Sequence, residues 1–338
     1  MAQAATAADS GTRTLRTPVC DLLEIDFPVM QAGMGIVADG TLAGHVSKAG
    51  GLGVIGAAQM TADQLAVEIE TARSITGNPF GVDILFGKPK ATGAGADRYE
   101  DTIERQIEVT LDAAVPVIVS GLGNPAAVIG RAHDKGIKVM SVVGTVKQAQ
   151  QVTAAGVDAV IASGCDGGGH VGTIGTAVLV PAAVDAVDVP VIAGGGLVDG
   201  RGLVAALAWG AQAVWMGTRF IATKQANVHA NYAGKIAEIG TDGTIVTRCH
   251  SGKTCRLIRN DFTESWEGRE AEIKPFPLQL QEFGGPASVL GRLEGDTDNG
   301  SLPAGQGSGL IREVVDAGQV VAEVMAEARA VLDRLAAF

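Results

Sequence analysis

The chain has 338 residues, 46% of them hydrophobic and 19% charged, so it can bury a sizeable core and is too apolar to be disordered over most of its length. Aromatic residues supply only 4%, which leaves the core to Ala, Val, Ile and Leu, and the 47 glycines have no Gly-X-Y period, which excludes collagen. A net charge of −11 with no basic block argues against nucleic acid as a partner, so any phosphate held here relies on backbone N–H groups and helix N-termini.

Residues 1–17 are small and polar without an apolar h-region, and read as a flexible tail, not a signal peptide. Eight β-rich runs follow, at 28–34, 51–57, 80–86, 116–121, 138–143, 159–164, 190–195 and 213–220. Their starts lie about 20 to 36 residues apart, most are followed by a helical stretch, and repeated βα units of that length imply a parallel sheet. Val191-Ile192-Ala193 and Val139-Met140 are apolar at successive positions, as strands buried on both faces must be. Eight such units predict an α/β fold, a (β/α)8 TIM barrel over 18–239, in preference to an open doubly wound sheet. Thr61 with Gln64 forms a capping box for a helix whose Leu65, Ile69, Ala72 and Ile75 share a face, and Asn124-Pro125 opens another helix. The uncharged stretch 113–130 is broken by Pro116, Gly121, Gly123, Asn124 and Pro125, so it is not a membrane span, and a soluble cytoplasmic protein is expected.

Beyond the barrel, 240–309 is rich in Gly, Pro and charge with weak periodicity, the pattern of an insertion or lid. Segment 310–338 carries Val321, Val324, Met325, Ala328, Val331, Leu332 and Leu335 on one face and predicts a closing helix packed on the barrel. The cysteines at 20, 165, 249 and 255 are too scattered for a disulfide scaffold, and Cys249, His250 and Cys255 lack zinc-finger spacing, so no metal is expected.

A barrel of this kind places its site in the loops at the C-terminal ends of the strands. After the first run stand Gln31, Ala32, Gly33, Met34 and Gly35, where two glycines let a flat ligand approach the backbone. The sixth loop, 163–172, has five glycines in ten positions, and His170 is its one side chain able to exchange protons near neutral pH. The other histidines, His45, His133, His229 and His250, fall in helical or insertion segments and read as structural. The seventh run ends in Gly194, Gly195 and Gly196 and the eighth in Trp215, Met216, Gly217 and Thr218, the two places where such barrels build a phosphate site. Arg219 either faces that phosphate or pairs with an acidic residue, Asp83 either accepts from a heterocycle or fills a turn, and Cys165 lacks an activating base in the sequence.

The runs 28–35, 50–53, 80–82, 168–172, 190–195 and 216–220, in this order, resemble the nitronate monooxygenase family, FMN-dependent (β/α)8 barrels related to the flavin-dependent enoyl-ACP reductases. The resemblance covers roughly 18–260 and returns at 305–315. It implies FMN, its phosphate held by Met216, Gly217 and Thr218 with Gly195 and Gly196, beside Trp215, and its ring against Gln31, Ala32, Gly33 and Met34. By the same resemblance Asp83 takes the place of a flavin-contacting Asn, Ser163 that of a Gln, Gly168 that of a glycine at the ring, and His170 that of the catalytic histidine. Asp166-Gly167 departs from the usual Glu-Ala, and an Asp at 83 in place of Asn either adds negative charge and lowers the flavin potential or changes which substrate atoms are tolerated.

The reaction so implied is oxidation of an alkyl nitronate with molecular oxygen to a carbonyl compound and nitrite. The alternative is an NAD(P)H-dependent reductase of an enoyl thioester, suggested also by the cations Lys253, Arg256 and Arg259 in an acidic chain. The partners expected are a small-molecule substrate, O2 and, for the reductase, NAD(P)H, with no nucleic acid and no membrane and with room for a homodimer. A barrel that only senses a phosphorylated ligand predicts instead a colourless protein, or a yellow one that no substrate reduces.

Overall fold

A computed structural model describes residues 15–87 and 94–338, with the side chains of 94–99 left aside. The expected tail therefore lies outside the described residues up to residue 14. Thr17, at its end, is already docked on the barrel, its hydroxyl donating to the Gln212 carbonyl at 2.7 Å.

The strands in chain order are β1 (Val29–Gln31), β2 (Gly53–Gly56), β3 (Phe80–Leu85), β4 (Val117–Leu122), β5 (Lys138–Val143), β6 (Ala159–Ser163), β7 (Gly169–His170), β8 (Val191–Gly194), β9 (Ala213–Met216), β10 (Thr244–Thr247) and β11 (Cys255–Ile258). Eight of them form one parallel sheet in the order β1-β9-β8-β6-β5-β4-β3-β2. The two ends meet through a parallel bridge between Met30 and Leu52, with Gln31 N–H donating to the Leu52 carbonyl at 2.9 Å and Leu52 N–H to Val29 at 3.0 Å. The Gln31 amide extends this seam by accepting from Val54 N–H at 3.1 Å and donating to the Val54 carbonyl at 3.0 Å. The sheet is thus a (β/α)8 barrel, closed at its last junction partly by a side chain.

Alternation along each strand sorts the core into two layers. Val29, Val82, Ile118, Val160 and Val214 face the surrounding helices, while Met30, Val54, Val119, Met140, Ile161 and Ile192 fill the interior. A short helix, Pro18–Leu23, plugs the N-terminal mouth with Val19, Cys20 and Leu23 among those interior side chains. The C-terminal mouth is left for the site. The Thr61–Gln64 capping box is present, and Leu65, Ile69 and Ala72 are buried beneath it. The first and eighth strands end earlier than expected, at Gln31 and Met216, because the chain peels off at the rim and Thr218–Ile221 turns into a short helix.

Segment 240–309 is more ordered than its composition suggests. It carries the β10–β11 hairpin, which pairs antiparallel with β7 to make a three-stranded sheet over the barrel mouth, and a helix at Gly285–Arg292. The final helix, Ala317–Leu335, packs against the helix Gly200–Ala208, where Gly200 N–H donates to Glu327 at 2.8 Å. Val321, Val324, Met325, Ala328 and Val331 are buried in it as expected, but Leu335 is exposed, since the helix outruns the surface it packs on. Among the described residues no helix is long and apolar enough to cross a membrane.

Candidate active site

A cavity of about 270 Å³ opens at the C-terminal mouth, between the rim loops and the 240–309 segment. Its floor and sides come from Ala32, Gly33 and Met34 after β1, Asp83 on β3, Ser163 and Gly168 after β6, Gly195 and Gly196 after β8, and Trp215, Gly217 and Thr218 at β9. His170 on β7 completes this set. Two expected positions do not reach the cavity. Gln31 is fully buried with its amide committed to Val54, and Met216 points outward into the layer beneath the helices. The period-two alternation of the strands is the reason, because neighbours of cavity-facing residues must point the other way.

His170 is held by the insertion and not by the glycine loop that contains it. Its backbone pairs with Cys255 across β7 and β11, and its Nε2 lies 2.7 Å from Ser251 Oγ. The Ser251 oxygen also accepts the Lys253 N–H at 3.4 Å. The other ring nitrogen, Nδ1, makes no hydrogen bond among the described residues. The ring opens onto the cavity, and desolvation there, with the positive charges of Lys253 and Arg292, pushes its pKa down to about 4. His170 is therefore a neutral hydrogen-bonding group at physiological pH.

His250, read as structural from the sequence, stands on the cavity wall, its ring centroid 6.1 Å from that of His170. Its Nδ1 is 2.9 Å from Ser301 Oγ, and burial holds its pKa well below the ordinary range, with Arg292 and His170 adding to the effect. Tyr232 donates to the Pro303 carbonyl at 2.6 Å, and burial raises its pKa; burial likewise pushes the Cys255 thiol up to about 12. Tyr232, Cys255, Phe276, Leu280, Arg292 and Pro303 all line the cavity, and sequence reading found none of them. The β-branched run of β10 and the hairpin it makes with β11 were the available signal.

Asp83 is 6% exposed, and its Oδ1 has no hydrogen-bond partner in the structure. Burial raises its pKa well above the usual carboxylate range, and a backbone hydrogen bond from Gly121 opposes this only in part. Burial thus works against the added negative charge expected from the sequence, favouring the protonated carboxyl. The sign can be tested. A raised native pKa means stability is full below the unfolded value of about 3.9 and is lost as pH rises through the native value. Asp83→Asn is expected to stabilise the protein by about 1–3 kcal/mol more at pH 8 than at pH 4, read from urea unfolding at the two values. Equal effects at both would show the carboxyl to be ionised in the fold.

The remaining candidates are structural. Arg219 donates to the carbonyls of Ala222 and Glu313, away from the cavity. Asp166 accepts from Thr176 N–H at 2.7 Å, at the start of the helix Thr176–Val184. Arg256 donates to Cys165 O and Thr244 Oγ1, and Arg259 pairs with Glu267 on the surface. Of the three cations in that strip only Lys253 stands at the site, its Nζ 4.4 Å from the centre of the Phe276 ring.

The residues fit a flavin mononucleotide. Gly195 and Gly196 adopt φ of 102° and 69°, which non-glycine side chains rarely adopt, so the rim offers bare backbone at that point. A Cβ added to Gly169 would meet no protein atom within 4 Å, so ligand space lies beside it. The orphaned Asp83 oxygen across the cavity supplies a polar partner for a heterocycle.

Comparison with known proteins agrees with this geometry. The chain is 40% identical over 273 residues to the Mycobacterium tuberculosis (3aS,4S,5R,7aS)-5-hydroxy-7a-methyl-1-oxo-octahydro-1H-indene-4-carboxyl-CoA dehydrogenase, covering 80% of this chain and 73% of that one. Among solved structures it is similar to FabK from Thermotoga maritima, with TM-score 0.86, 38% identity and coverage of 95% and 99% of the two chains. It is also similar to a nitroalkane oxidase from Streptomyces ansochromogenes, with TM-score 0.83, 32% identity and coverage of 94% and 99%. The family model for nitronate monooxygenase matches residues 16–327, and the chain belongs to the nitronate monooxygenase family of oxidoreductases.

Proposed function

We propose that the protein is an FMN-dependent oxidoreductase that oxidises alkyl nitronates with O2 to a carbonyl compound and nitrite. The observation that carries this reading is the placement of His170, on the cavity wall with its Nε2 fixed 2.7 Å from Ser251 Oγ. An imidazole titrating near 4 is a weak base at pH 7, poorly matched to pulling a proton from carbon. It remains a good hydrogen-bond donor, and a nitronate, already an anion, needs a donor and not a base.

In this reading Gly195, Gly196, Gly217 and Thr218 hold the phosphate, and Ala32, Gly33 and Met34 lie against the ring. The protonated Asp83 donates where the family has an Asn, and Ser163 and Gly168 border the flavin from β6. FMN when bound supplies the electron acceptor. The chain orients the nitronate by His170 and excludes water with Phe276 and Leu280 of the insertion.

A second reading, oxidation or reduction of a CoA or carrier thioester, draws on the carboxyl-CoA dehydrogenase relative and on Lys253, which packs on the cavity-lining Phe276. The two separate without air. A propyl nitronate is expected to bleach the bound flavin within seconds, 1-nitropropane far more slowly and NADPH not at all. Bleaching by NADPH or an acyl-CoA, with the nitronate inert, would replace the nitronate reading with the thioester one.

A further inference from the structure

Arg292 ends the helix Gly285–Arg292 and borders the cavity, yet it is 6% exposed. Its Nε donates to the Ser301 carbonyl at 3.1 Å and its Nη1 to the Gly35 carbonyl at 3.2 Å, both neutral acceptors. Among the described residues Nη2 has no hydrogen-bond partner, and no carboxylate lies within 4.0 Å of the guanidinium. The titratable groups around it are all neutral: His170 and His250, which its charge helps to keep deprotonated, and Tyr232 and Cys255, which keep their protons. A guanidinium does not lose its own proton in a protein, so a full positive charge is buried here without a counter-ion.

Burying an uncompensated charge is costly, and it persists where something else neutralises it. Asp83, the one carboxylate that lines the cavity among the described residues, is the wrong group for that role, being wedged between Gly33 and Gly121 on the barrel rim. We infer that Arg292 is the anion-recognition residue of the cavity, and that the ligand presents it with a planar oxyanion of nitronate or carboxylate geometry. The unpartnered Nη2 keeps two N–H donors for a planar oxyanion, and joins His170 at the same fragment. The inference rests on the cavity being the substrate site proposed above, and it narrows the substrate class to molecules anionic at the reacting end.

The test uses acetate as a non-reacting planar oxyanion and acetamide as its neutral shape-mate, titrated into the flavin-loaded protein and read by the perturbed flavin absorbance. Acetate is expected to bind roughly tenfold or more tighter than acetamide, as a charge-assisted hydrogen bond predicts. Arg292→Gln should abolish that preference and Arg292→Lys should keep part of it. Affinity for FMN and for riboflavin, measured on the flavin-free protein, should change by less than about twofold in both variants. If wild-type protein does not distinguish the two probes, the inference fails without recourse to any variant. It also fails if Arg292→Gln weakens FMN but not riboflavin, which assigns the charge to the cofactor phosphate. An unchanged acetate preference with a lowered flavin midpoint potential assigns it to the ring, and fails it too. Because neither probe reacts, these outcomes are independent of whether a nitronate or a thioester reduces the flavin.

Discussion

Replacing His170 by Asn is expected to cost about 10²–10³-fold in turnover of a nitronate while the protein stays yellow, the loss seen when one donor to a developing charge is removed. The geometry explains why so much hangs on one side chain. Ser251 fixes Nε2 and β11 fixes the backbone, so the imidazole is oriented before the ligand arrives. An Asn at 170 is too short to reach both Ser251 and the ligand, and its amide gains freedom that the imidazole lacks. Ser251→Ala should give a smaller loss, because the ring is still held on β7 but can turn about its own bonds. The pH profile separates this role from general-base catalysis. A group titrating near 4 leaves kcat/KM level between pH 6 and pH 8. An inflection near 6.5 that disappears in His170→Asn would show that the imidazole titrates in the working range and acts as a base.

The barrel was legible because its strands obey a local rule. A strand buried on both faces must be a short apolar run, and eight of them at βα spacing leave few other folds. The rim residues were legible for the same reason, since Gly195, Gly196, Gly217 and Thr218 directly follow such runs. What stayed hidden depends on contacts between distant parts of the chain. Nothing around Gly169-His170 shows that a two-residue strand will pair with Cys255 and Arg256, because the pairing is supplied by the partner strand. Arg292 looks like the surface end of an amphipathic helix, and only the fold reveals that Ser301 and Gly35 enclose it. Gln31 shows the opposite failure. It lies in a run recognised by its motif, but its side chain serves barrel closure, a role that motif matching cannot separate from ligand contact.

Gly33→Ala is expected to destabilise the protein by about 3 kcal/mol or more and to abolish flavin retention, and the cause lies in one neighbour. A Cβ at position 33 would overlap the Cβ of Asp83, and would stand 2.5 Å from its Oδ2 and 2.8 Å from its Cγ. Asp83 has no escape, since on its other side a Cβ at Gly121 would in turn meet Oδ2 at 2.7 Å and Cγ at 2.9 Å. The carboxyl thus fills a slot made by two missing side chains. An Ala at 33 must push the loop after β1 off the rim, breaking the bond from Ala32 N–H to the Met216 carbonyl and moving Met34 out of the cavity wall. If that single overlap is the cause, removing the other Cβ should relieve it. In an Asp83→Gly background the Gly33→Ala change should cost less than about 1 kcal/mol, a coupling of about 2 kcal/mol or more in a double-mutant cycle. Additive costs in urea unfolding would mean that position 33 is intolerant for a backbone reason of its own, and that Asp83 is not packed in the slot described. The same pair of variants reports on the cofactor. On the proposed placement of FMN, the double variant should regain its fold but hold FMN less tightly than wild type, because the acid proposed to face the ring is gone while the proposed phosphate cradle at Gly195, Gly196, Gly217 and Thr218 is untouched.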